Sequence, residues 1–278
     1  MSADGGLHVA RDGAVVTVTL DLPPHNLVGV DLVVGLFGLL PEVEADESVA
    51  VVVFRSADPD FFLMHGDVEV LLEAEGSAEP ITEPNIAAAL FERIHRAPFL
   101  TVGVVDGYAR GGGCEFLSAL DLRVGTERTV IGQPEVAMGI LPGAGGTVRW
   151  TRLVGRARTL ELILSGRDVD ADEALALGWL QARLPSADLD AALAAFLAPF
   201  THLDRRSVVA VKDVVDTALG HDPAALVTES AALDAAVGVG AHHGPMRRFL
   251  AAGGQTRAAE VGPIDPLLAA MREPRPSR

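Results

Sequence analysis

The sequence has one cysteine in 278 residues, which excludes an intrachain disulfide framework. Basic residues are scarce. Lys and Arg number 22 against 38 Asp and Glu, for a formal net charge of −16. A nucleic-acid binder needs a basic face, and the C-terminal arginines (Arg247, Arg248, Arg257, Arg272, Arg275, Arg278) are scattered, so no nucleic-acid partner is expected. Local donors can still hold an anionic ligand against that mean field. No run approaches the ~20 apolar residues of a membrane span. The opening MSADGGLHVARDG has no apolar segment after a basic one, so no signal peptide and no membrane partner are expected, and the expected location is cytoplasmic. Three site motifs are also missing. Gly107, Gly111, Gly112 and Gly113 do not fit G-x-G-x-x-G, and Gly143, Gly145 and Gly146 fail because Val148 stands where glycine is needed. There is no phosphate-loop G-x-x-x-x-G-K-[ST] and no G-x-S-x-G elbow.

Apolar residues make up 49% of the chain, enough for one large domain or a main domain with an appendage. AVVTVTLDL (14–22) alternates and predicts a strand, and VAVVVFRS (49–56) and FLTVGVVDG (99–107) predict buried ones. Helical spacing covers 30–44, with a break expected at Pro41, and 85–98, stopped by Pro98. CEFLSAL (114–120) predicts a short helix, 121–135 two short strands, and 143–155 and 156–166 two helices. A further helix over 170–178 starts at Asp170 or Asp172 as N-cap. Beyond Pro185 the pattern is almost wholly helical, and the proline-rich 262–278 is expected to be an arm or partly disordered.

The stretch DGYARGGGCE (106–115) carries the chemistry. A strand, a glycine loop and a helix start aim backbone N–H groups at a negative ligand atom. Glu115 follows directly, and Glu135 comes twenty residues later in GQPEVAMGILPGAGGT, beside a second glycine-rich helix entry. A carboxylate after a donor loop reads as a base beside an anion site. Spacing alone favours the plainer reading, two tight turns with solvated glutamates.

VVDGYARGGGCEF, IGQPEVAMGILPGAGGT and LSGRDVDADEALALGWL together resemble the enoyl-CoA hydratase/isomerase (crotonase) superfamily, continuously from about Leu100 to Leu184 and more loosely over 14–72. The resemblance implies an α/β fold: a spiral of repeated ββα units over 1–200 carrying a CoA-thioester site, then a helical C-terminal region over 201–278 used in trimerisation. It implies an acyl-CoA thioester as substrate, a homotrimer or homohexamer, no metal, and no cofactor beyond the coenzyme A of the substrate. The thioester oxygen would sit between the N–H groups of Gly66 and Gly112. Glu115 would orient or activate water, Glu135 would deliver a proton, and the N–H of Gly143 would help hold that water.

One loop departs from the family pattern F-x-A-G-x-D. Here FLMHGDV (62–68) puts Met64 for alanine and His65 for glycine, both candidates for substrate contact. Asp67 reads as a helix cap, Cys114 as packing, Asp121 as structural, and Trp150 and Trp179 as core. His242 and His243 lack companions at metal-ligand spacing. His25, Arg247, Arg248 and Arg257 are the basic groups available for the CoA phosphates. The implied activity is hydration of a 2-enoyl-CoA. The alternatives are double-bond isomerisation and, given the altered LMHGD loop, acyl-CoA binding without turnover.

Overall fold

The computed structural model describes residues 5–272. β1 (Gly6–Asp12) pairs antiparallel with β2 (Val15–Asp21). β2 follows the expected alternation, whereas β1 lies mostly exposed and has no apolar period to announce it. α1 (Val30–Ala45) runs through Pro41 without the expected break. Leu32, Leu36, Leu40 and Val43 anchor its buried face. Pro41 lies on the exposed side, where solvent can satisfy the carbonyl it leaves unpaired.

β3 (Val51–Ser56), α2 (Val68–Leu72), α3 (Ile86–His95), β4 (Leu100–Val105), β5 (Tyr108–Arg110) and α4 (Gly112–Ala119) follow. β6 (Leu122–Gly125), β7 (Val130–Gly132), a 3₁₀ turn over Glu135–Met138, α5 (Gly146–Val154) and α6 (Arg156–Ser165) come next. β8 (Val169–Asp170), α7 (Ala171–Ala176) and β9 (Ala182–Arg183) close this part, with Asp170 capping α7 through the Glu173 N–H. The two-residue β8 and β9 are too short for a sequence period to mark.

The large sheet has the order β1-β2-β3-β4-β6-β9, parallel from β2 onward, and the small one the order β5-β7-β8. β4–β5–α4 and β6–β7–α5 are successive ββα units, each giving its first strand to the large sheet and its second to the small. After β3 the second strand shrinks to a single bridge between Phe61 and Tyr108. This is the expected mixed α/β architecture. The buried VVVF of β3 suits a parallel strand covered on both faces, and Trp150 and Trp179 lie in the main core as expected.

The C-terminal part is helical: α8 (Leu189–Leu197), α9 (Arg205–Leu219), α10 (Ala224–Gly238), α11 (His243–Ala251), α12 (Arg257–Glu260) and α13 (Asp265–Met271). α13 replaces the arm expected from Gly262 onward, because Leu267, Leu268 and Met271 bury against Met138, Met246 and Phe249. The rest of that expected tail, 273–278, lies outside the described residues. Among the described residues no single helix is long and apolar enough to cross a membrane.

Candidate active site

Gly112 opens α4, so its N–H has no acceptor within the helix. Three conditions set this corner. Gly111 needs φ +54°, a Cβ on Gly113 would fall 2.0 Å from Leu63 O, and Gly113 N donates to Met64 O at 2.8 Å. A Cβ on Gly112 would lie 3.4 Å from Gly66 N, so the two glycine N–H groups occupy one small space. Around Gly66, Val28 N donates to His65 O and Met64 N to Asn26 O. Among the described residues neither Gly66 N–H nor Gly112 N–H has a protein acceptor.

Both groups line a cavity of about 330 Å³, with Glu115, Glu135, Gly143 and His65 also in its wall and Val28, Leu71, Met138 and Leu233 supplying apolar surface. Met64 is buried beside the loop and is not part of this wall.

Glu115 is buried, and its Oε1 accepts from Ala144 N at 2.7 Å and Gly146 N at 2.9 Å. Burial, then the charge of Glu229, push its pKa up to about 8, against the pull of those two N–H groups. Glu135 is buried in the 3₁₀ turn, and burial followed by the charge of Glu115 hold its pKa well above the carboxylate range. With its amide nitrogen turned toward Glu135, Gln133 donates to both carboxylate oxygens at 3.1 and 3.2 Å. Gly143 precedes α5. Its carbonyl accepts from Asn85 Nδ2 at 2.5 Å, and a Cβ there would fall 2.2 Å from Leu233 Cδ2.

A third carboxylate was not anticipated. Glu229 on α10 accepts from Gly145 N at 2.5 Å, Thr147 N at 2.8 Å and Val148 N at 3.2 Å, so it caps α5 from a distant helix. Burial raises its pKa. The available signal was its position on the stripe Leu226, Glu229, Ser230, Leu233, a carboxylate at apolar helical spacing. Glu260 and Gln255, which hold the 64–67 loop, carry no comparable mark.

Asp67, Cys114 and Asp121 fall as expected. Asp67 caps α2 through the Glu69 N–H at 3.0 Å. Cys114 is buried, and burial keeps it a thiol. Asp121 accepts from Thr101 N and Lys212 Nζ. His242 is enclosed beside His243. Of the candidate phosphate contacts, Arg257 is paired with Asp58 and Asp60, Arg248 donates to Met271 O, and Arg247 is exposed.

Comparison with known proteins converges on one family. The family model described as enoyl-CoA hydratase/isomerase matches residues 10–237. "Probable enoyl-CoA hydratase 2, mitochondrial" of Arabidopsis thaliana is 37% identical over 164 residues, 59% of this chain and 54% of that protein. The "Short-chain-enoyl-CoA hydratase" of Clostridium acetobutylicum is 33% identical over 172 residues, 60% of this chain and 64% of that one. The match thus spans under two thirds of either relative's length. A crystal structure from Streptomyces avermitilis, of a protein with a provisional enoyl-CoA hydratase name, superposes with TM-score 0.83 at 32% identity, over 97% of this chain and 99% of that one. By the match over 10–237 and by the fold, the chain belongs to the enoyl-CoA hydratase/isomerase (crotonase) family.

Proposed function

We propose that this protein adds water across the 2,3 double bond of an enoyl-CoA thioester. One observation carries the reading: two backbone N–H groups without protein acceptors share a cavity wall with two buried carboxylates. The N–H groups of Gly66 and Gly112 receive the thioester oxygen. Water held by Glu115 gives up a proton to that carboxylate as its oxygen bonds to the β-carbon. The π electrons move to the thioester oxygen as an enolate, which the two donors stabilise. The enolate then collapses, and its α-carbon takes the proton of Glu135. The electrostatics order the pair: with its pKa at about 8 and two N–H donors on Oε1, Glu115 is the readier of the two to ionise, while burial and the charge of an ionised Glu115 keep Glu135 protonated, so hydration should rise with pH as Glu115 loses its proton.

Each proton transfer by a positioned group is typically worth roughly 10² to 10⁴ in rate. Shifting a double bond needs a single carboxylate, so the presence of two favours hydration over isomerisation. The names of the relatives support the same choice. We place the homotrimer or homohexamer in the same proposal. Val211, Val214, Val215 and Leu219 form an exposed apolar row on α9 that a closed symmetric assembly would cover.

The test is a panel of 2-enoyl-CoA and 3-enoyl-CoA thioesters of graded chain length, with products resolved. Formation of 3-hydroxyacyl-CoA is expected. Double-bond migration without hydration would replace this reading with the isomerase, and saturable binding without any turnover would replace it with a binding protein.

A further inference from the structure

The departure from the family pattern at His65 has a structural partner. Its ring Nδ1 lies 2.7 Å from Gly66 O and its Nε2 2.8 Å from Glu260 Oε1. Both neighbours are acceptors. The same Glu260 oxygen also accepts from Gln255 N at 2.9 Å, a second donor that favours the ionised carboxylate over the protonated acid. A neutral imidazole has one N–H and one bare nitrogen. In that form one lone pair would face an oxygen at hydrogen-bond distance, in a place where both side chains are almost fully enclosed.

We infer that His65 is a doubly protonated imidazolium, locked to Glu260, that positions the Gly66 N–H and adds positive charge beside the thioester oxygen. This deepens the hydratase reading and rests on it. The ring grips the carbonyl on one side of Gly66, while Val28 N grips the His65 carbonyl that precedes the Gly66 N–H. The peptide that bears the first oxyanion donor and the peptide that follows it are therefore each held by their carbonyl. A cation next to that donor lowers the energy of the enolate more than that of the neutral thioester. His65 is a positioning residue, since it acts through Gly66.

The charges around it come from several elements. Glu260 on α12 is its partner, and the Arg110 guanidinium from β5 opposes it while donating to Glu260 O and pairing with Asp168. Asp67, at the end of the same loop, accepts from Gln255 Nε2. Glu135 lies on the cavity side: a Cβ on Gly111 would sit 2.7 Å from its Oε1 and 2.9 Å from His65 Cβ. The ring edge meets Phe249 of α11 at 5.4 Å between centroids, which closes the remaining side. Burial opposes the charge on both groups, and against it Glu260 holds the His65 pKa above its ordinary value and His65 holds that of Glu260 below.

Two readouts test this. The first is the ¹⁵N shifts of the His65 ring in the intact protein, assigned with His65→Gln. Two protonated nitrogens at neutral pH are expected, and one bare nitrogen there overturns the inference. The second is the fraction of bound acetoacetyl-CoA held as its enolate, read by near-ultraviolet absorbance. Glu260→Gln and His65→Gln should each lower that fraction by about 10-fold, the scale of a weakened oxyanion donor, while Glu260→Gln, whose residue does not line the cavity, still binds butyryl-CoA. An unchanged enolate fraction in both folded variants overturns the inference. Should a variant fail to fold, the wild-type ring shifts decide. A wild-type protein that hydrates enoyl-CoA with a singly protonated His65 sinks this inference alone, whereas one that binds no CoA thioester sinks the hydratase reading and this role together.

Discussion

The two loops that meet at the cavity supply similar N–H groups by opposite means. The loop carrying Gly112 is fixed locally: Gly111 takes a φ that L side chains avoid, Gly113 leaves no room for a Cβ, and α4 starts at once. The loop carrying Gly66 is fixed from afar. Asn26 Nδ2 donates to Phe62 O, Gln255 joins Val68 N and Asp67, and Glu260 holds His65 across 195 residues of chain. The first design resists remodelling and the second admits it. That explains how His65 can stand where the family pattern has glycine without disturbing the other loop.

The largest effect is expected where the local loop has no slack. Gly113→Ala drives a methyl against the Leu63 carbonyl, 2.0 Å away. It should cost ~3 kcal/mol or more, at or beyond the upper end for overpacking, visible as a large drop in melting temperature. A fully stable Gly113→Ala protein would break the claim that this loop is fixed by space. Gly112→Val comes next. Its first contacts are the Val28 side chain at 3.1 and 3.2 Å, and its φ is not one that L residues avoid, so the fold should survive. Turnover, measured as kcat/KM on crotonyl-CoA, should fall by roughly 10² to 10³, the scale of one lost oxyanion donor, because the valine keeps its N–H but crowds the space that the thioester oxygen needs beside Gly66 N.

Gln255→Ala probes the other loop. Losing its bonds to Val68 N at 2.8 Å and Asp67 Oδ1 at 3.0 Å should cost ~1 kcal/mol of stability and a smaller share of turnover than Gly112→Val. An activity loss as deep as that of Gly112→Val, with the melting temperature unchanged, would mean that Gln255 takes part in the chemistry.

The smallest effect is the pH dependence of the His65–Glu260 pair. The raised His65 pKa gives stability that is fully present below about 6.5 and lost as pH rises through the folded value. The lowered Glu260 pKa gives stability present above about 4.5 and lost as pH falls through the folded value. The melting-temperature gap between wild type and Glu260→Gln should therefore be widest between about pH 4.5 and 6.5, where both contributions are whole. It should narrow once pH passes either folded value. A gap that stays constant across the range would remove the ion pair.

What the sequence made legible follows the same division. The glycine run, Glu115, Glu135 and the ββα order are local patterns, and the structure puts Gly112 of that run and both carboxylates around one cavity. Glu229, Glu260 and Gln255 act through contacts from helices far along the chain, and local period cannot say what a distant helix face will meet. Pro41 misled because a single proline on an exposed face does not outweigh four buried anchors on the other. The 265–271 helix was hidden because proline content masked Leu267, Leu268 and Met271, which find their partners only in the fold.

The central claim is that Glu115 and Glu135 act together on one water and one carbon. Hydration of crotonyl-CoA by Glu115→Gln, Glu135→Gln and the double variant tests it most directly, with butyryl-CoA binding as the control for the intact N–H donors. Each single variant should lose at least about 10² in rate, the double should be little worse than either single because the groups function as a unit, and binding should survive in all three. Wild-type hydration rates in either single variant would contradict the account.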